Sequence, residues 1–274
     1  MAKVPIVLAH GIFRIDEIRV LVKEAVGIDK GLHYFHGIAP FLESNGFVVT
    51  ETDTSFCGSL ERRAHDLAKG VDAFLQKTGA EKVAIIGHSM GGLDARKMIA
   101  DLGFEKKVAS LTTIGTPHHG TPAADDLENA DGRFAIALLK PFIDFEGFLD
   151  LRPSACDAFN ARVEQREADN DVVYRAVTAF EALPETVSFL QPTAIRLQRE
   201  GPSDGIVPAH SQQWVPHLRG TRSTKAVQQI PFPTRADHLN EIGWWDLGEL
   251  RNGLLRGAFQ EQINRFYLEL ASTA

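Results

Sequence analysis

At 274 residues and 44% hydrophobic side chains, the chain can bury one large core or two modest ones. Its 29 basic and 36 acidic residues give a formal charge of -7, which supplies no basic field for nucleic acid or for an anionic membrane. Two cysteines, Cys57 and Cys156, cannot make a disulfide framework and form one bridge or none; no apolar run is long enough to span a bilayer.

From the N-terminus, the sequence enters a strand-like run at once, with no charged region followed by a long apolar one. The expectation is therefore a cytoplasmic protein, or a secreted one if a leader has been removed. Residues 4–9 (VPIVLA) read as a buried strand feeding the loop at His10 and Gly11. A second strand is predicted at 47–50, after the turn pair Asn45-Gly46. Leu60, Ala64, Leu67, Ala68, Val71, Phe74 and Leu75 form one apolar stripe and predict a helix over 59–77, closed by Gly79. Strands follow at 82–86 and 109–114, with a helix between them at 93–102. This cadence of strand and helix predicts an α/β protein with a mostly parallel sheet covered on both faces.

The cadence breaks after Gly120. Residues 121–190 carry no clean alternation, and 134–151 is rich in aromatic residues. Strand-like runs return at 193–197 and 226–230, and a closing helix is predicted over 254–270. With no internal repeat and no low-complexity linker, one domain over 1–274 with an inserted cap at about 121–190 fits best.

Gly87-His88-Ser89-Met90-Gly91 lies between a predicted strand and a predicted helix. A serine on such a sharp turn is lifted above the sheet edge, and the glycines let the backbone turn without a Cβ clash. A serine hydroxyl needs a base to become a nucleophile. His238, in a polar loop after the last strand, has the right place in the chain order serine, acid, histidine. For the acid, Asp204 in Ser203-Asp204-Gly205 is expected at the carboxyl end of the 193–197 strand. Asp237 is the rival, but residues adjacent in a chain rarely turn their side chains onto each other. Two backbone N–H groups, of Met90 after the nucleophile and of Ile12 after the first strand, are expected to hold the oxyanion.

These segments together resemble the bacterial true lipases, the family I pseudomonad-type triacylglycerol lipases. The matching pieces are PIVLAHGI at 5–12, YFHGIAPFLESNG at 34–46, GHSMGG at 87–92, IGTPHHGTP at 114–122, SDGIVP at 203–208 and DHLNEI at 237–242. The resemblance implies an α/β-hydrolase fold with an inserted helical lid and activity on acyl esters of fatty acids. It matches the family's serine, aspartate and histidine to Ser89, Asp204 and His238, and its oxyanion donors to Ile12 and Met90. One departure stands out. The family's calcium is held partly by an aspartate two residues after the histidine, and that position is Asn240 here. No acidic residue stands in 186–198, where the other calcium aspartate would be sought. Without both carboxylates a hard cation loses most of its charge partners, so no calcium, no other metal and no cofactor is expected. Neither cysteine stands where the family's disulfide would be, so free thiols are expected.

The stretch from Phe134 to Leu151 reads as a lid whose apolar face covers the site, or more blandly as a buried helix. Phe13, Phe142, Phe145 and Phe148 are the candidate pocket and lid residues. His118-His119 is a loop feature near the site rather than a metal pair, because adjacent histidines face different ways. Trp244-Trp245 is packing or part of the site wall. The partners expected are an acyl ester or lipid substrate and transient contact with a lipid interface. A short-chain carboxylesterase, an acyltransferase and a non-catalytic module on a hydrolase scaffold are the alternatives.

Overall fold

The computed structural model describes residues 3–12, 33–125, 146–244 and 253–274. Six strands form one sheet: β1 (Ile6–Ala9), β2 (Val49–Glu51), β3 (Val83–His88), β4 (Val108–Ile114), β5 (Val173–Thr178) and β8 (Gln228–Pro231). Their spatial order is β2-β1-β3-β4-β5-β8 and every pairing is parallel. A separate antiparallel hairpin joins β6 (His217–Arg219) to β7 (Thr224–Ala226).

Alternation along β1 sets the two layers, because successive side chains leave opposite faces of a strand. Val7 and Ala9 pack with α2 (Leu60–Thr78) and α3 (Met90–Asp101). Ile6 and Leu8 pack with α1 (Ile38–Ser44) and with the closing helix α6 (Gly253–Ser272), through Ile263, Phe266, Tyr267 and Leu270. Each such buried Val, Ile, Leu or Phe side chain contributes about 2 kcal/mol. Helix α2 starts where Ser59 accepts the Arg62 amide, a cap worth about 1 kcal/mol. Among the described residues, no helix is long and apolar enough to cross a membrane.

The parallel sheet, the early strands and the long helices follow the sequence pattern, with boundaries moved by one to three residues. Three expectations do not hold. Residues 193–197 are not a strand but belong to α5 (Gln191–Leu197). Pro192 suits a first helical turn, and Ala194 and Leu197 are buried three apart while Ile195 is 56% exposed. The run at 226–230 is divided, since Ala226 ends β7 and Gln228 opens β8. Finally, 121–190 is not one insertion. It contains α4 (Pro153–Asp169), which packs under α3, and the sheet strand β5.

Candidate functional site

Ser89 sits where β3 ends and α3 begins, with φ 55° and ψ -131°. Only Cys57 shares a positive φ among the described non-glycine residues. Such a conformation costs about 1–3 kcal/mol and persists only when the surroundings over-determine it. Here the Ser89 amide donates to the Ile114 carbonyl at 2.9 Å, and the Thr116 hydroxyl donates to the Ser89 carbonyl at 2.9 Å. A Cβ at Gly91 would collide with the Ala9 and His10 carbonyls, so glycine alone lets α3 begin against the end of β1. Met90 opens α3, which puts its N–H among the first-turn amides that lack an intrahelical partner. The helix dipole adds positive potential at the same place.

The loop leaving β1 passes directly beside the serine. A Cβ at Gly11 would lie 2.8 Å from the Ser89 Cβ and 3.3 Å from its hydroxyl. The carbonyl of Ile12 accepts the Cys57 amide at 3.3 Å. Ile12 and Met90 share one buried apolar cluster with Leu93, Leu151 and Phe159. Phe148 packs on that cluster, while Phe13, Phe142 and Phe145 lie outside the described residues, as does Trp245.

Arg63 holds this loop, and sequence reasoning passed it over. Its fully buried guanidinium donates to the carbonyls of His10 at 2.9 Å, Gly11 at 3.0 Å and Ser55 at 2.8 Å. It also grips both oxygens of Asp94 on α3, the shortest contact being 2.7 Å. Burial pushes the Asp94 carboxyl up to about 6, with Arg63 pulling the other way. The signal was present, since Arg63 interrupts the apolar stripe of α2 between Leu60 and Leu67.

Asp204 and His238 come together across 34 residues. His238 Nδ1 lies 2.8 Å from Asp204 Oδ2, and the His238 amide donates to the Asp204 carbonyl at 2.8 Å. The remaining acceptor positions of Asp204 are filled by the amides of Ile206 and Val207 and by the Gln212 side chain. Asp204 does lie beyond the carboxyl end of a strand, but the strand is β5. The Glu181 amide, just past β5, donates to the Ser203 carbonyl at 3.0 Å and draws the loop back to it. Because β5 and β8 are parallel neighbours, the loops carrying Asp204 and His238 leave the same sheet edge. Asp237 does not compete. It accepts the amides of Val187, Leu239 and Asn240 and closes its own loop.

The ring of His238 lies 4.4 Å, centroid to centroid, from that of His88, the residue before Ser89. His88 is fully buried between the Tyr34 hydroxyl and the carboxyl of Glu241, a group the sequence reading did not single out. His118 stacks on Trp214 and meets Thr113 and Arg96, while His119 turns to the Trp214 carbonyl, so the two do face apart. Trp244 donates to the Tyr34 carbonyl and packs on His36. No disulfide joins Cys57 and Cys156, both of which are buried.

Among the described residues, one trio of possible metal donors, His88, His238 and Glu241, lies within 4.8 Å. Two imidazoles and a single carboxyl suit a hard cation poorly, and His88 Nε2 and His238 Nδ1 are already in hydrogen bonds to carboxyl groups. Asn240 closes its loop through the Trp244 carbonyl and brings no charge. This donor set does not fit calcium.

Comparison with known proteins agrees with this architecture. Residues 4–135 match the family described as the alpha/beta hydrolase fold. A triacylglycerol lipase of Vibrio cholerae is 40% identical over 124 residues, covering 44% of this chain and 35% of that protein. Triacylglycerol lipase 2 of Saccharomyces cerevisiae is 30% identical over 225 residues, covering 78% and 63%. The chain thus spans from about a third to under two thirds of the length of these relatives. Among solved structures, a mature Bacillus licheniformis lipase gives a TM-score of 0.64 at 20% identity, covering 94% of this chain and 92% of that one. A metagenomic carboxyl esterase gives 0.67 at 19%, covering 98% and 76%. From the parallel sheet, the serine on its strand-to-helix turn and these matches, the chain has the α/β-hydrolase fold, and bacterial triacylglycerol lipases are among the proteins it is similar to.

Proposed function

We propose that the chain is a serine ester hydrolase that cleaves acyl esters, those of fatty acids included, through an acyl-enzyme on Ser89. The observation that carries the reading is the 2.8 Å contact of His238 Nδ1 with Asp204, with the His238 ring 4.4 Å from that of His88, the neighbour in the chain of a serine held at φ 55°. In this reading His238 Nε2 takes the Ser89 proton and the serine oxygen bonds to the ester carbonyl carbon. The carbonyl oxygen becomes an oxyanion, to which the Ile12 and Met90 amides donate, each worth about 3 kcal/mol of barrier. His238 then gives its proton to the departing alkoxide, and the alcohol leaves. Water repeats the sequence on the acyl-enzyme and releases the acid. Asp204 keeps the Nδ1 proton in place and offsets the charge of the imidazolium.

The relatives that match are named triacylglycerol lipases, which favours long acyl chains over short ones. No metal enters the scheme, consistent with Asn240 at the family's calcium position.

The test is Ser89→Ala. It is expected to abolish p-nitrophenyl ester hydrolysis and fluorophosphonate labelling while leaving the circular dichroism spectrum intact. Full turnover in that variant would sink the reading, and an unlabelled wild-type serine would favour a non-catalytic module.

A further inference from the structure

Glu241 is fully buried three residues after His238, and the mechanism above gives it nothing to do. Its Oε2 lies 2.9 Å from His88 Nε2 and 3.7 Å from His238 Nδ1. On the far side of His88, Nδ1 lies 2.7 Å from the Tyr34 hydroxyl, whose oxygen in turn accepts the Gly11 amide. A continuous chain of hydrogen bonds therefore runs from Glu241 to the loop beside Ser89.

The protons in this chain can be placed by counting donors. Burial holds His88 well below the ordinary imidazole range, so it is neutral and carries one N–H. With the Tyr34 oxygen occupied by the Gly11 amide, its O–H is free to donate to His88 Nδ1. The single N–H of His88 is then on Nε2 and goes to Glu241 Oε2. Nothing donates to Glu241 Oε1, which is buried and lacks a partner. An ionised carboxylate in that position would be costly. The groups facing it from each packed element are Asp204 from the acid's loop, Asp237 and His238 from its own loop, His88 from β3, Tyr34 from the segment before α1 and Tyr267 from α6. None of these is a lysine or an arginine. Burial, then the charges of Asp204 and Asp237, hold the Glu241 carboxyl well above the usual range.

We propose that Glu241 is a neutral carboxylic acid and acts as a positioning residue that ties the Asp204–His238 pair through His88 and Tyr34 to the Gly11 loop. The assignment gives each donor of the Gly11–Tyr34–His88 relay an acceptor and adds no negative charge of Glu241 to that of Asp204 behind the base. It rests on the reading of Ser89, Asp204 and His238 as the reacting group.

Two substitutions in the full chain test it, with p-nitrophenyl butyrate as probe. Glu241→Gln keeps the shape, a donor and an acceptor, but cannot ionise. Its kcat/KM is expected within about threefold of wild type, with the acid limb of the pH profile moved by less than about 0.3 unit. Glu241→Leu removes the bridge and is expected to lower kcat about 10- to 100-fold with KM nearly unchanged, a loss typical of an orienting partner. A charged Glu241 predicts otherwise, since neutralising it would shift the acid limb of the Gln variant to lower pH by about a unit or more; that shift would overturn the proposal. Infrared difference spectroscopy near neutral pH supplies a readout free of turnover. A protonated-carboxyl stretch that moves in D2O and vanishes in the Gln variant supports the assignment, and its absence from wild type refutes it. If wild type hydrolyses no ester, the functional reading fails while the band still decides where the proton lies.

Discussion

Asp204 and His238 are joined twice, by the side-chain contact and by the His238 amide on the Asp204 carbonyl, each at 2.8 Å. The backbone link keeps the imidazole near the acid even when the carboxylate is altered. Asp204→Asn should therefore leave the fold and KM nearly unchanged and lower kcat by about 10⁴, the cost of presenting the wrong imidazole tautomer. Steady-state kinetics with thermal unfolding as control decide it, and a loss under tenfold would remove Asp204 from its role.

Arg63 is the second point of leverage. Arg63→Met strips three backbone carbonyls of their donor and leaves Asp94 buried without a cation. The expected destabilisation is about 3–5 kcal/mol, read by urea unfolding. Under conditions where the variant is folded, kcat should fall more than KM rises, because the Ile12 amide loses its support.

Gly91→Ala tests the close approach of α3 to β1. The added methyl meets the Ala9 and His10 carbonyls, neither of which can yield without moving β1. A loss of about 1–3 kcal/mol is expected from overpacking, together with reduced fluorophosphonate labelling of Ser89. Unchanged melting and labelling would show that the turn tolerates a side chain.

Asp169 governs a separate response to acid. Its carboxylate takes the Thr221 hydroxyl and the Thr221 and Arg222 amides in the turn joining β6 to β7. The Thr221 hydrogen bond leads in holding it down to about 2. A value depressed below the ordinary 3.8 means that its stabilising contribution is present above that pH and is lost as pH falls towards 2. Amide exchange protection of the hairpin should decline over that window in wild type. In Asp169→Asn it should be weaker at neutral pH and flat across the same range.

A p-nitrophenyl ester series from acetate to palmitate, run with and without EDTA, addresses acyl length and calcium together. The expected result is activity on the longer esters that EDTA leaves within about twofold, since no pair of carboxylates stands at the family's calcium position. Strong EDTA inhibition reversed by calcium would show that other oxygens hold the ion.

The first half of the fold was legible because its strands are uninterrupted apolar runs and its helices carry clear stripes. The second half was not, because charged side chains are buried there. Within β5, Arg175 is only 7% exposed and breaks the run VVYRAVT. Along α4, Glu167 is fully buried against Arg96 and blurs the helical stripe. Such residues look solvent-facing in a sequence, and only their distant partners reveal otherwise. The same blindness hid Arg63 and Glu241, whereas Ser89, Asp204 and His238 were visible through their motifs and chain order.

The exit from β1 is gripped from two directions, by the start of α3 against the Ala9 and His10 carbonyls and by Arg63 on the His10 and Gly11 carbonyls. Both amides assigned to the oxyanion thus belong to one rigid block before any substrate arrives. In the proposed mechanism, turnover then need not wait for the anion receptor to assemble.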